Sequence, residues 1–231
     1  MRIQLHMWGP FREHLLRRHA FYVEQAKARV LSQFGDISGE AERFADAEFD
    51  RIGQQPAHYE IDMGDAAEMA NDRAQEFYGL LSDLHREMTL ATLAGVYHQW
   101  DKDLRGFIDS ELGKDGVAAA DIKEVVWKRD IAEVFKLLAQ FGWDCRKDGF
   151  FADLDAARLV VNVYKHGKGK SLDDLVAQHP EFLREGLPGF GLAAHPDYVD
   201  HEWLTVSDKQ FARIAAAIEA FWGAFPERLL Y

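Results

Sequence analysis

A chain of 231 residues, 48% hydrophobic and 29% charged, has the make-up of an ordinary globular protein and is long enough to bury a sizeable core. Its formal net charge of -12 argues against sequence-independent binding of duplex DNA, which rests on neutralising phosphates. No apolar run approaches the roughly 20 residues of a membrane span. The opening "MRIQLHMWGPFREHLLRRH" lacks the apolar stretch and the cleavage site of a signal peptide. The single Cys145 leaves no intramolecular disulfide and no cysteine-based zinc site, so a cytoplasmic protein without membrane association is expected.

Along the chain, the spacing predicts helices almost throughout. Pro10 suits a first turn, and "FREHLLRRHAFYVEQAKARVLSQF" runs from it to Gly35. "GEAERFADAEFDRIG" is a short acidic helix ended by Gly53, and "QQPAHYEIDMG" reads as a loop. Phe77, Leu81, Leu84, Met88 and Ala91 step by fours and threes, and Leu93, Val96, Trp100, Leu104 and Phe107 continue that stripe to Leu112. A run of this length predicts two helices, or one kinked near Gly95. Trp127, Ile131, Val134, Leu138 and Phe141 form the next stripe, and Leu154, Ala157, Val161 and Tyr164 the one after it. "RLVVNVY" is β-branched, yet its polar residues recur at helical positions. The Gly/Pro-rich segment from His179 to Val206 reads as an irregular connection, of a length that is often functional. A last stripe, Phe211, Ile214, Ile218, Phe221 and Trp222, is opened by a cap signal at Ser207-Asp208.

Charge is unevenly distributed. Asp36 to Glu76 holds twelve acids against three bases, either a solvated face or a docking surface for a basic protein partner. The opposite bias appears in "LDAARLVVNVYKHGKGKS", where Arg158, Lys165, His166, Lys168 and Lys170 follow one another with no acid between Asp155 and Asp173. At about 100° per residue, Asp155, Arg158, Asn162, Lys165 and His166 share roughly a third of the helix circumference, away from the apolar stripe. Asn162 and His166 are surface neighbours at i and i+4. Gly167 and Gly169 provide the stop signal after the last turn. The plainer reading of this stretch is a capping histidine followed by a solvated turn.

"NVYKHGKG" on a late helix resembles the signature helix of HEPN domains. "REMTLATLAGVYHQWDKDLRGFIDSEL", with Trp100 and Asp101 at its centre, resembles the earlier helix of the same family. The similarity covers roughly residues 70–166. It implies an all-α, HEPN-like helical bundle over residues 62–231, preceded by a helical extension over residues 1–61 that is acidic in its second half. Many HEPN proteins are metal-independent ribonucleases of toxin–antitoxin and anti-phage systems, with one composite site formed across a homodimer. Carried over, the family's histidine falls on His166 and its polar residue on Asn162. The arginine that precedes that polar residue is replaced by Val161. The nearest upstream arginine, Arg158, lies eight residues before His166, about 12 Å of helix rise. Arg158 and His166 of one chain therefore do not easily grip one phosphate. Lys165, Lys168 or Arg158 of a second copy could serve as the cation.

Two functional readings follow. In the first, the protein is a dimeric RNase effector with His166, Asn162, Arg158 and Lys165 as catalytic residues and Lys168 and Lys170 as RNA contacts, without metal or cofactor. In the second it is a catalytically inactive HEPN-like interaction module, binding a protein partner through the acidic 36–76 region. His195, Asp197, Asp200 and His201 in "HPDYVDHEW" carry zinc- or manganese-compatible side chains, but their spacing matches no helical ligand motif and surface roles are expected. His14, His19 and His85 are expected to be exposed, and His98 to be an interior histidine. Phe150 and Phe151 are either core residues or a partner surface.

Overall fold

The computed structural model describes residues 3–54, 62–184 and 199–231. In chain order the elements are β1 (Gln4–His6), α1 (Gly9–Arg29), α2 (Ile37–Gly53), α3 (Met63–Lys114), α4 (Ala119–Ile122), α5 (Ile131–Gln140), α6 (Phe151–His166), α7 (Lys170–Gln178), α8 (Asp208–Ala224) and β2 (Arg228–Leu230). α4 runs directly into a π-helical turn at Lys123–Trp127. The described residues are all-α apart from two short strands, as the three-and-four periodicity of the sequence predicts. "RLVVNVY" lies within α6.

Side-chain caps fix several helix starts. Asp36 accepts from the Gly39 amide at the head of α2, and Asp130 from the Glu133 amide at the head of α5. Ser207 and Gln210 form a reciprocal capping box on α8, which satisfies two otherwise orphaned backbone donors. The expected break in the long helix is absent, and α3 continues through Gly95. A lone helical glycine costs only about 1 kcal/mol relative to alanine, and no proline accompanies it.

Residues 1–24 and 90–231 form one compact unit, and residues 25–89 another. In the first unit the core is assembled from the stripes read in sequence. Leu93, Trp100, Leu104 and Ile108 of α3 belong to one buried cluster with Val134 and Leu138 of α5 and with Phe211, Ile214, Ile218 and Phe221 of α8. Trp100 meets Phe221 edge-on at 5.2 Å between ring centroids, a geometry that adds to plain area burial. α6 is buried over most of its circumference, since Ala156, Leu159, Val160 and Val163 join the predicted Leu154, Ala157 and Val161. Phe150 and Phe151 are half-buried core rings: Phe150 packs against Phe221 at 6.0 Å and Phe151 against Phe135 at 5.4 Å. β1 pairs antiparallel with β2, Leu5 opposite Leu229, and Leu5 and Met7 are fully buried.

In the second unit, Ile52 of α2 packs on Ala66 and Ala70 of α3. Phe44 and Phe77 stack at 4.5 Å. Glu48 pairs with Arg51 at 2.9 Å and also with Arg73, and these two guanidiniums hold its carboxyl down at about 2. The alanines at 66, 70 and 74 form the buried line here. Leu84, predicted for the core, is 49% exposed. On this part of α3 the buried hydrophobic side chains are those alanines, and of the bulky stripe Phe77 is engaged by the stack on Phe44 while Leu84 stays outside. No helix among the described residues is long and apolar enough to cross a membrane.

Candidate functional site

α6 brings the signature residues to its C-terminal end. Lys165 and His166 are exposed in the last turn, and Asn162 is half-buried one turn earlier. The helix stops where the Gly167 amide donates to the Val163 carbonyl at 2.8 Å, with Gly167 at φ 70° and ψ -125°. That backbone conformation is closed to residues with a Cβ without strain. Gly169, also at positive φ, then leads into α7. The exposed turn therefore displays Lys165, His166, Lys168 and Lys170 within a few residues of one another. Lys170 is engaged by Asp174 one turn along α7 at 2.7 Å.

His201, from the 3₁₀ turn His201–Trp203, closes on the same place. Its Nδ1 lies 3.6 Å from where a Cβ on Gly167 would stand. The motif stretch and the "HPDYVDHEW" stretch, read separately in sequence, thus meet at Gly167. His195 and Asp197 lie outside the described residues. Among the described residues no group of three His, Cys, Asp or Glu is placed to hold a metal ion. A second imidazole beside the signature turn was not legible in the sequence, because it is brought there by a contact that spans more than thirty residues of chain.

On the α3 side, His98 is half-buried rather than interior. Its pKa is lowered, first by desolvation and then by the positive charge of Lys165. Beside it, Tyr97 is buried, and its hydroxyl makes no hydrogen bond among the described residues. Burial raises the tyrosine pKa most, and Asp101 adds to the shift while Arg158 opposes it. A buried hydroxyl without a partner carries an uncompensated desolvation cost of about 1–3 kcal/mol. Tyr97→Phe is therefore expected to leave the melting temperature unchanged or to raise it by a few degrees. A clear fall in melting temperature would show that the hydroxyl has a partner.

The arginine is less available than the sequence suggests. Arg158 is half-buried and its Nε donates to Asp155 at 2.8 Å on the same helix. Val161, where the family pattern has arginine, is 1% exposed and belongs to the core. Asp101 does not face α6 as a free acid either. It accepts from Arg105 Nε at 2.9 Å, and Arg105 Nη1 donates on to the carbonyls of Val126 and Arg129. Trp100, its neighbour in the motif, is a core ring.

The remaining histidines are scaffolding or surface. His14 is exposed as expected, whereas His19 and His85 are half-buried. His19 Nε2 hydrogen-bonds with the Ala215 carbonyl at 2.8 Å, and burial lowers its pKa. His85 stacks on Phe34 at 5.0 Å. Cys145 is buried and its thiol is pushed up to about 12, chiefly by desolvation, which leaves it unreactive. Comparison with family models, with curated proteins and with solved structures gives no match to this chain.

Proposed function

We propose that the protein is a HEPN-like, metal-independent endoribonuclease whose active centre is the exposed turn after α6. The observation that carries this reading is the packing of His201 against Gly167, which brings a second imidazole to the turn that follows His166 and bears Lys165 and Lys168. Cleavage of RNA by its own 2′-hydroxyl needs a base, an acid and a cation. One imidazole removes the 2′-hydroxyl proton as that oxygen bonds to phosphorus. The other delivers a proton to the departing 5′-oxygen as the P–O5′ bond breaks. Lys165 and Lys168 offset the charge on the phosphorane, and Asn162, one turn before His166, is the polar residue beside it. The products are a 2′,3′-cyclic phosphate and a 5′-hydroxyl. Such a protein would act as a toxin or anti-phage effector, and two copies would set their α6 turns face to face as a homodimer.

The test is incubation of the full chain with labelled single-stranded RNA in EDTA, with light scattering on the same sample. Cleavage leaving a cyclic phosphate, together with a dimer at micromolar concentration, is the expected result. A monomer with no cleavage counts against the composite site.

A second reading has its own support. Arg158 is tied to Asp155 and Val161 occupies the family's arginine position, which favours a catalytically inactive HEPN-like module. Such a module would bind a basic protein partner through the acidic 36–76 region. RNA left intact by a dimeric wild-type protein selects this alternative.

A further inference from the structure

A groove of about 350 Å³ opens in the first unit between the end of β1, α1 and α3, lined by none of the residues used in the reading above. α1 and α3 run antiparallel beneath it, since Phe11 stacks on Phe107 at 5.9 Å while Arg18 pairs with Asp103 at 2.9 Å further along. The two helices thus provide an aromatic floor. At one end Trp8 stands 54% exposed, an unusual placement for the largest side chain in the alphabet. Gly106 lines the floor, and a Cβ placed on it would meet nothing within 4 Å, so the glycine keeps the middle of the groove open.

The acids of the groove are already answered from within. Asp103 is held by Arg18 and by Gln99, both at 2.9 Å. Glu111 accepts from Lys114 at 2.5 Å and from the His6 amide at 3.0 Å. Lys102 lines the groove, is exposed, and has no ion-pair partner among the described residues. In a chain of net charge -12, an aromatic groove whose one unanswered lysine points at solvent selects for a negative ligand. Lys102 and Phe107 are five residues apart on one helix, about 7.5 Å of rise and about 140° of turn, and both line the groove. A flat ring carrying a single anionic group spans that distance.

We propose that this groove binds a small aromatic anion, its ring on the Phe11–Phe107 floor beside Trp8 and its carboxylate or phosphate on Lys102. The ligand is either a free aryl carboxylate or a nucleoside monophosphate, two sources of the same chemistry. The proposal does not depend on RNA cleavage.

Isothermal titration calorimetry of the full chain with 2-naphthoate, its neutral analogue 2-naphthamide, and AMP tests it. At least one of the two anions is expected to bind saturably, and the amide to bind about tenfold more weakly than the acid, as loss of a charge-assisted contact implies. Whichever anion binds more tightly identifies the source. Lys102→Gln is expected to weaken the anion about tenfold. Gly106→Leu, which fills the groove on a helical backbone, is expected to abolish binding. Trp8→Leu, at an exposed position, reports on the ring independently should Gly106→Leu fail to fold. No saturable binding of either anion at millimolar concentration overturns the proposal. So does equal affinity for acid and amide, or binding left unchanged by Lys102→Gln and by the ring-side variants.

Discussion

His166→Ala is expected to slow RNA cleavage by about 10²- to 10⁴-fold, the usual contribution of a general acid or base. The backbone does not depend on this side chain. The turn after it is closed by the Gly167 amide on the Val163 carbonyl, and the imidazole is exposed. Circular dichroism and light scattering of the variant should therefore match the wild type. His201→Ala is expected to cause a loss of similar size, because two proton transfers require two groups. Arg158→Ala should cost much less than either, since its guanidinium is occupied by Asp155. Lys165→Ala should fall between them. If wild-type protein cleaves RNA and His166→Ala cleaves it equally fast, the α6 turn is not the active centre.

Arg105→Met is expected to destabilise the fold by about 3–5 kcal/mol, the range for removing one partner of a buried ion pair. Arg105 is 7% exposed and its guanidinium serves three acceptors, the Asp101 carboxylate and the carbonyls of Val126 and Arg129. Those carbonyls stand at and just beyond the π-helical turn, where the helix no longer supplies amide donors of its own. Methionine matches the volume and answers none of the three. Against a typical total stability of about 5–15 kcal/mol, the loss is large. Urea unfolding followed at 222 nm measures it directly. A change below about 1 kcal/mol would mean that solvent replaces the arginine at all three acceptors. Asp101→Asn, which leaves the two carbonyl contacts in place, should cost clearly less.

The helices were legible because the chain alternates by threes and fours over long stretches, and a stripe such as Phe211, Ile214, Ile218 and Phe221 admits only one face. Burial was less legible. On α6 the stripe showed Leu154, Ala157 and Val161, but not that Leu159, Val160 and Val163 would be covered too. A helix packed against neighbours on several sides buries residues beyond its apolar stripe, and the stripe alone does not mark them. On α3 the reverse holds. Leu84 lies on a well-formed stripe and stays exposed, because α2 approaches along Ala66 and Ala70 instead. At the candidate site, Lys165 and His166 follow directly from the cap chemistry of Gly167. Arg158, expected at the site, is engaged by an i, i+3 acid on the same face. His201 and the β1–β2 pair rest on contacts between residues far apart in the chain, for which a single sequence carries no periodic signal.

The pairing of β1 with β2 also sets an order of events during protein synthesis. Leu5 and Met7 leave the ribosome early, but the strand that covers them, Arg228–Leu230, is made more than two hundred residues later. At about 5–20 residues per second, the early segment waits roughly 10 to 45 seconds without its cover. The unit built from residues 1–24 and 90–231 is therefore completed only after translation has passed Leu230, and a nascent chain arrested before Arg228 would present Leu5 and Met7 to the chaperones at the exit tunnel.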